Sequence, residues 1–202
     1  MKKSFVFMLA GLLMNASVFA FTDGTGTADK TYQVDPKNSS IVWQAKKVTG
    51  SHEGHLPISS GSLILDNNKL KGGSFILDVQ SLVVTDVKDA DMNGKLTKHL
   101  KSDDFFSVEK HPEAKLVLTK VTATGADSYN VAGNLTIKGI TKPISFPATV
   151  KMNGGKVMAQ AKVKVDRTHY DIKFRSSNFF ENLGDKAIMD DFILDVNLVA
   201  GN

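Results

Sequence analysis

The stretch Ser128-Tyr129-Asn130-Val131-Ala132-Gly133-Asn134-Leu135-Thr136-Ile137-Lys138-Gly139 decides the fold class. Tyr129, Val131, Gly133, Leu135 and Ile137 share one face at period two. Ser128, Asn130, Asn134, Thr136 and Lys138 share the other, with Ala132 the apolar exception. That is a strand with one wet face and one dry face, closed by a Lys-Gly turn. The rhythm continues outward. Ile144, Phe146, Ala148, Val150 and Met152 repeat it, then Val157, Ala159, Ala161, Val163 and Val165, and last Phe192, Leu194, Val196 and Leu198 against Asp195 and Asn197. Ile41 to Val48, Gly61 to Asp66, Ser74 to Val79 and Ala114 to Ala123 are the earlier strands. Turn signals separate them at Asp35-Pro36, Ser59-Ser60-Gly61, Asp66-Asn67-Asn68, Gly72-Gly73, Gly125-Ala126-Asp127, Lys138-Gly139 and Asn153-Gly154-Gly155. The reading is all-β and antiparallel, with about eight strands, the usual number for a small closed barrel.

One segment departs from the β pattern. Asp89 to Phe106 places Met92, Leu96, His99 and Leu100 on one helical face, with Lys95, Lys98 and Lys101 off it. Gly94 weakens the helix, and Ser102 reads as the N-cap of a second short turn carrying Asp103 and Asp104. A short amphipathic helix inserted between barrel strands needs an apolar surface for its apolar face. The mouth of the barrel offers one, so the helix is expected to act as a lid.

The chain has 202 residues, 42% hydrophobic and 23% charged, with no cysteine, which fits one globular domain and removes disulfides, thiolate nucleophiles and Cys-based metal sites. Its formal charge of +4 is partly an export feature. Lys2 and Lys3 precede an uncharged run from Phe5 to Met14, and Val18 and Ala20 occupy the small-residue positions of a cleavage site. Residues 1–20 therefore read as a secretory signal peptide, too short and too interrupted for the roughly 20 apolar residues of a membrane span. Cleavage after Ala20 would take two positive charges and no acid, leaving +2 on a periplasmic or secreted chain. No lysine block is suited to nucleic acid, and no stable membrane insertion is expected after cleavage. Residues 21–31 read as a flexible leader and residues 32–202 as the domain.

Catalytic patterns are missing. There is no G-x-S-x-G turn, phosphate loop or dinucleotide fingerprint, and adjacent carboxylates such as Asp190-Asp191 point to opposite faces of a strand. The chain is read as no enzyme and as having no cofactor. A competing reading is a metal-binding protein or metal-dependent enzyme using His52, His55 and Glu53 in a Gly-rich turn, a set that lacks a fourth ligand. A third is a stress or adhesion module that acts through its outer surface. Interior volume is the remaining feature. Gly133, Ala148, Ala159 and Ala161 fall on inward faces, where they either leave a cavity or admit close packing. Trp43, Phe75, Leu77, Leu118, Leu135 and Phe146 would line such a space, with Phe105 and Phe106 closing it.

These strings together resemble the YceI-like family. The resemblance rests on Trp43 through Gly54 (WQAKKVTGSHEG), Gly72-Gly73-Ser74-Phe75, His99 through Phe106 (HLKSDDFF) with His111-Pro112, Gly133 through Pro143 (GNLTIKGITKP) and Val165 through Ile172 (VDRTHYDI). It covers nearly the whole domain, from about Tyr32 to Val199. It implies a lipocalin-like eight-stranded antiparallel barrel holding a long isoprenoid or similar amphiphilic lipid for transport, storage or sequestration. The expected lining is then Trp43, Phe75, Leu77, Leu96, His99, Leu100, Phe105, Phe106, Leu118, Leu135, Phe146, Ala148, Ala159, Ala161 and Leu194. At ~0.3 kcal/mol per heavy atom, a tail of about 40 carbons reaches roughly −12 kcal/mol without a polar anchor. Lys46, His99, Arg167, His169 and Arg175 are the candidate head-group partners, against the alternative that His99 hydrogen-bonds a neighbouring loop and Arg167 pairs a carboxylate across a strand end. The reading is also compatible with a homodimer.

Overall fold

The computed structural model describes residues 29–201. The leader's first residues and the expected cleavage site lie outside them. The strands are β1 (Lys30–Val34), β2 (Ser40–Lys47), β3 (Gly50–His55), β4 (Ile58–Asp66), β5 (Lys69–Asp78), β6 (Val83–Val84), β7 (Glu113–Ala123), β8 (Ser128–Ile137), β9 (Ile140–Asn153), β10 (Lys156–Asp166) and β11 (Ile188–Gly201). Helix α1 (Ala90–Lys101) separates β6 from β7, and a short 3-10 helix, Arg167–Tyr170, follows β10. All pairings are antiparallel, and the order β1-β4-β5-β7-β8-β9-β10-β11 closes through β1 on β11 into an eight-stranded barrel.

The three remaining strands continue barrel positions. β1 and β2 both run antiparallel to β11, with Val34 opposite Ala200 and Ser40 opposite Asn197, so they form one interrupted strand. In the same way β3 runs on into β4 and β5 into β6, because β2 pairs with β3 and β3 with β6. Three hairpins fix the registers. Asn67-Asn68, Lys138-Gly139 and Gly154-Gly155 have positive φ at both loop residues, the geometry whose twist matches the flanking strands.

Of the inward side chains predicted from the alternation, Tyr129, Val131, Leu135 and Ile137 on β8 and Val157, Val163 and Val165 on β10 are buried, while Ile144, Phe146, Ala148, Met152, Ala161, Phe192 and Val196 are partly buried. Three turn readings are corrected. Ser59-Ser60-Gly61 lies in β4 and Gly72-Gly73 in β5, with Gly61 paired to Phe75 and Gly73 to Leu63. A Cβ on Gly61 would stand 2.7 Å from the Phe75 ring, so this glycine makes room for an aromatic neighbour. Gly50 to His55, read as a turn, is β3. β1 begins at Lys30, two residues inside the segment read as leader.

Helix α1 starts where the spacing placed it. The Asp89 side chain caps it by accepting from the Met92 amide at 2.9 Å. Its apolar face is only partly covered: Leu96 and Leu100 pack against the core, while Met92 is 63% exposed. A short turn follows at residues 103–106, but the Ser102 side chain does not cap it: Ser102 ends α1, its hydroxyl donating back to the His99 carbonyl at 2.8 Å.

Candidate functional site

The barrel interior contains two apolar cavities. The first, about 90 Å³, lies among β4, β5, β7, β8, β9, β10 and β11, and every side chain on its wall except Gln160 is apolar. The second, about 80 Å³, lies at the end capped by α1 and the turns after it. Leu77, Leu135 and Leu194 line both, so these three buried leucines form a neck between them.

The structure brings most of the expected lining together. Phe75, Leu118, Phe146, Ala148, Ala159 and Ala161 face the first cavity, and Trp43, Leu100, Phe105 and Phe106 face the second. Leu96 and His99 line neither. The His99 Nε2 pairs with Asp104 at 2.9 Å, and its ring packs edge-on against Phe105 and Phe174. Gly133 does not border a cavity either. A Cβ there would stand 2.7 Å from the Val117 carbonyl, so this glycine allows close packing. Sequence reasoning missed Ile41, Ile58, Leu63 and Leu70 of the first wall and Leu56, Leu82 and Ile172 of the second. Most of these lie on strands or turns whose alternation is too short to read.

Arg167 borders the second cavity but offers it nothing. All five guanidinium N–H groups are committed: Nε donates to the Met189 carbonyl, Nη1 to Ile172 and Phe174, and Nη2 to Ile188 and to Asp190. Burial lowers its pKa, with Asp190 and Asp166 pulling the other way. Asp190, on β11, is therefore half of a largely buried pair. The other head-group candidates, Lys46, His169 and Arg175, are exposed on the surface. Among the described residues no buried side-chain polar atom lacks a partner, so the cavities present an apolar wall.

The His-x-x-His segment does not converge. On β3, His52 shares a face with Gly54, opposite Ala45 and Trp43, whereas Glu53 and His55 lie on the other face. His52 Nδ1 is held by Asp86 at 2.8 Å. Among the described residues no three His, Asp or Glu side chains are grouped to hold an ion.

Comparison with known proteins follows the same lines. A family model described as a YceI-like domain matches residues 32–200. A UPF0312 protein of Pseudomonas putida strain W619 is 42% identical over 77 residues, covering 37% of this chain and 40% of that protein. One of Photorhabdus laumondii is 32% identical over 131 residues, covering 61% of this chain and 67% of that one. The chain thus matches about 40% of the length of the first of these relatives. Among solved structures, BcnA of Burkholderia cenocepacia superposes with a TM-score of 0.68 at 23% identity, covering 83% of this chain and 99% of that one. A polyisoprenoid binding domain from Saccharophagus degradans gives 0.62 at 15% identity, covering 84% and 97%.

Proposed function

This chain belongs to the YceI-like domain family, and on that premise we propose that it holds an elongated apolar lipid, a polyisoprenoid or a molecule of that kind, inside its barrel. The observation that carries the reading is the pair of cavities, apolar but for Gln160 and the committed Arg167, joined at the Leu77, Leu135 and Leu194 neck. An apolar wall with its one arginine fully committed suits a hydrocarbon chain, which needs burial and no directional partner. The polyisoprenoid class is taken from the Saccharophagus domain of the same fold.

Binding sites for small molecules are commonly about 300–1,000 Å³. Cavities of about 90 and 80 Å³ therefore require the neck leucines to change rotamer when a long chain is held. Helix α1, with the Phe105 and Phe106 turn behind it, is the lid of the second chamber in this reading. The amino-terminal segment supports an exported carrier, and the missing catalytic patterns support a carrier rather than an enzyme.

The test is native mass spectrometry and organic extraction of protein purified from its own host. A long apolar molecule bound one to one is expected. Protein that carries none, and that does not take up the fluorescent hydrocarbon diphenylhexatriene, would overturn the reading.

A further inference from the structure

The barrel wall is not continuous. β9 and β10 pair from Asn153 and Lys156 down to Ala148 and Ala161, and the ladder stops there. Beyond that rung β9 still pairs with β8 as far as Ile140, and β10 still pairs with β11 as far as Asp166. Among the described residues no strand pairs with the facing edges, 140–147 of β9 and 162–166 of β10. The wall therefore has a seam on one side, closed at its far end where the 3-10 helix Arg167–Tyr170 packs on β9.

The sequence builds this seam. The residue after the last rung is Pro147, and Pro143 follows at the same parity, both paired to β8. A proline is tolerated in a ladder only where its nitrogen faces away from the partner strand. With β8 occupied on one side, both nitrogens face β10, which meets two missing donors. A hydrogen-bonded ladder cannot zip past them. Ile144 and Phe146, which face the first cavity from this edge, are only partly buried although their side chains point inward.

The cavity and the outside meet at the same place. An external groove of about 420 Å³ over β9, β10 and β11 shares Ala148, Gln160 and Ala161 with the first cavity. The last rung, two alanines facing each other, thus lies between the cavity and the groove. The corresponding gap between the start of β5 and the end of β7 differs. There Lys69 Nζ donates to the Ala126 carbonyl at 2.7 Å, and the Leu70 amide reaches the Tyr129 hydroxyl at 3.4 Å.

We propose that the β9–β10 seam is the portal through which the apolar ligand enters and leaves the first chamber sideways, with α1 closing the other end. The proposal rests on the lipid-binding reading and adds the route. The backbone of each edge strand remains held by its other neighbour, so the seam can widen by bending without unfolding either hairpin. The small side chains at the last rung leave the least to displace.

Continuing the β9–β10 register places Ser145 opposite Lys164, both exposed. Since the chain has no cysteine, the double variant Ser145→Cys, Lys164→Cys carries only the two thiols introduced. It is bridged with a short bis-maleimide, bridging is verified by mass, and transfer of diphenylhexatriene from phosphatidylcholine vesicles is timed. At least a tenfold slowing is expected in the bridged protein, with the same final amount bound and no slowing when each thiol is capped separately. As a second variant, Pro143→Val with Pro147→Val returns both N–H donors and is expected to slow transfer in the same direction. Unchanged rates in the bridged protein would overturn the portal while leaving binding intact. Failure of every form to take up the probe would overturn the lipid reading and the portal with it.

Discussion

Arg167 and Asp190 meet at 3.2 Å, with the arginine side chain 5% exposed and the aspartate 17%. The same guanidinium ties the carbonyls of Ile172, Phe174, Ile188 and Met189, fastening the long connection after β10 to the start of β11. One side chain thus secures the floor of the second cavity. Arg167→Met would leave four carbonyls and a half-buried carboxylate without this donor. A loss of about 3–5 kcal/mol is expected, the usual cost of breaking a buried pair. Arg167→Lys should recover only part, because an ammonium cannot span the fork. Urea unfolding measures both, and a loss below about 1 kcal/mol for Met would contradict the clamp.

Gly54 lies directly beneath Trp43. A Cβ at Gly54 would collide with the Val83 carbonyl and stand 2.7 Å from the indole nitrogen, which itself donates to that carbonyl at 3.1 Å. Gly54→Ala is expected to cost at least ~1–3 kcal/mol through overpacking and to break the indole bond. The chain has a single tryptophan, so its fluorescence reports the change directly. An unshifted emission spectrum with unchanged stability would show that the strand can yield.

The neck divides the interior, and its removal should join the chambers. Leu135→Ala deletes buried volume between two cavities, so a loss near the usual ~2–5 kcal/mol is expected together with greater uptake of diphenylhexatriene. Ala159→Phe should act in the opposite sense. It fills the first chamber and lowers uptake with little loss of fold, because it occupies free volume. Strong destabilisation by Ala159→Phe would mean that the chamber has no room to give.

Asp166 joins the acid limb of stability to the same corner. Burial pushes its pKa up, but the Thr168 hydroxyl at 2.6 Å and the Thr168 amide at 2.8 Å outweigh it, and the net shift is downward. A carboxylate with a depressed folded pKa contributes stability above its unfolded value and loses it as pH falls through the folded value. Asp166→Asn should therefore be destabilising near neutral pH, and its deficit against the parent should shrink toward zero as the pH falls below about 4. Urea midpoints taken at several pH values check the sign. A deficit that grows on acidification would contradict it.

The barrel itself was legible from local pattern. β8, β9, β10 and β11 are each ten or more residues long and alternate over much of that length, and the Lys-Gly and Gly-Gly hairpins fix β8 on β9 and β9 on β10, so period two separates the wall from the interior there. β3 was not legible, because Gly50-Ser51-His52-Glu53-Gly54-His55 has no apolar alternation. It is a strand because β2 and β6 hold it on both edges and because Gly54 admits Trp43. Ala148, Ala159 and Ala161 were singled out as interior space, and Gly133 belonged to the same pattern for a different reason. Composition cannot separate a glycine that leaves a void from one that lets a carbonyl approach.

Local pattern in the sequence carries the eight positions of the barrel, most of the inward faces, the helix and the family to which the chain belongs. Those are properties of neighbours in the chain, set by side-chain period, turn φ and capping chemistry. Tertiary structure alone decided that Arg167 is fully committed, that three leucines from three strands make a neck, and that the wall parts beyond Ala148 and Ala161. Each of these depends on residues far apart in sequence sharing one hydrogen-bond shell or one void. Pro143 and Pro147 are visible in the sequence, but the side to which their missing donors face is set only once β8 has taken the other.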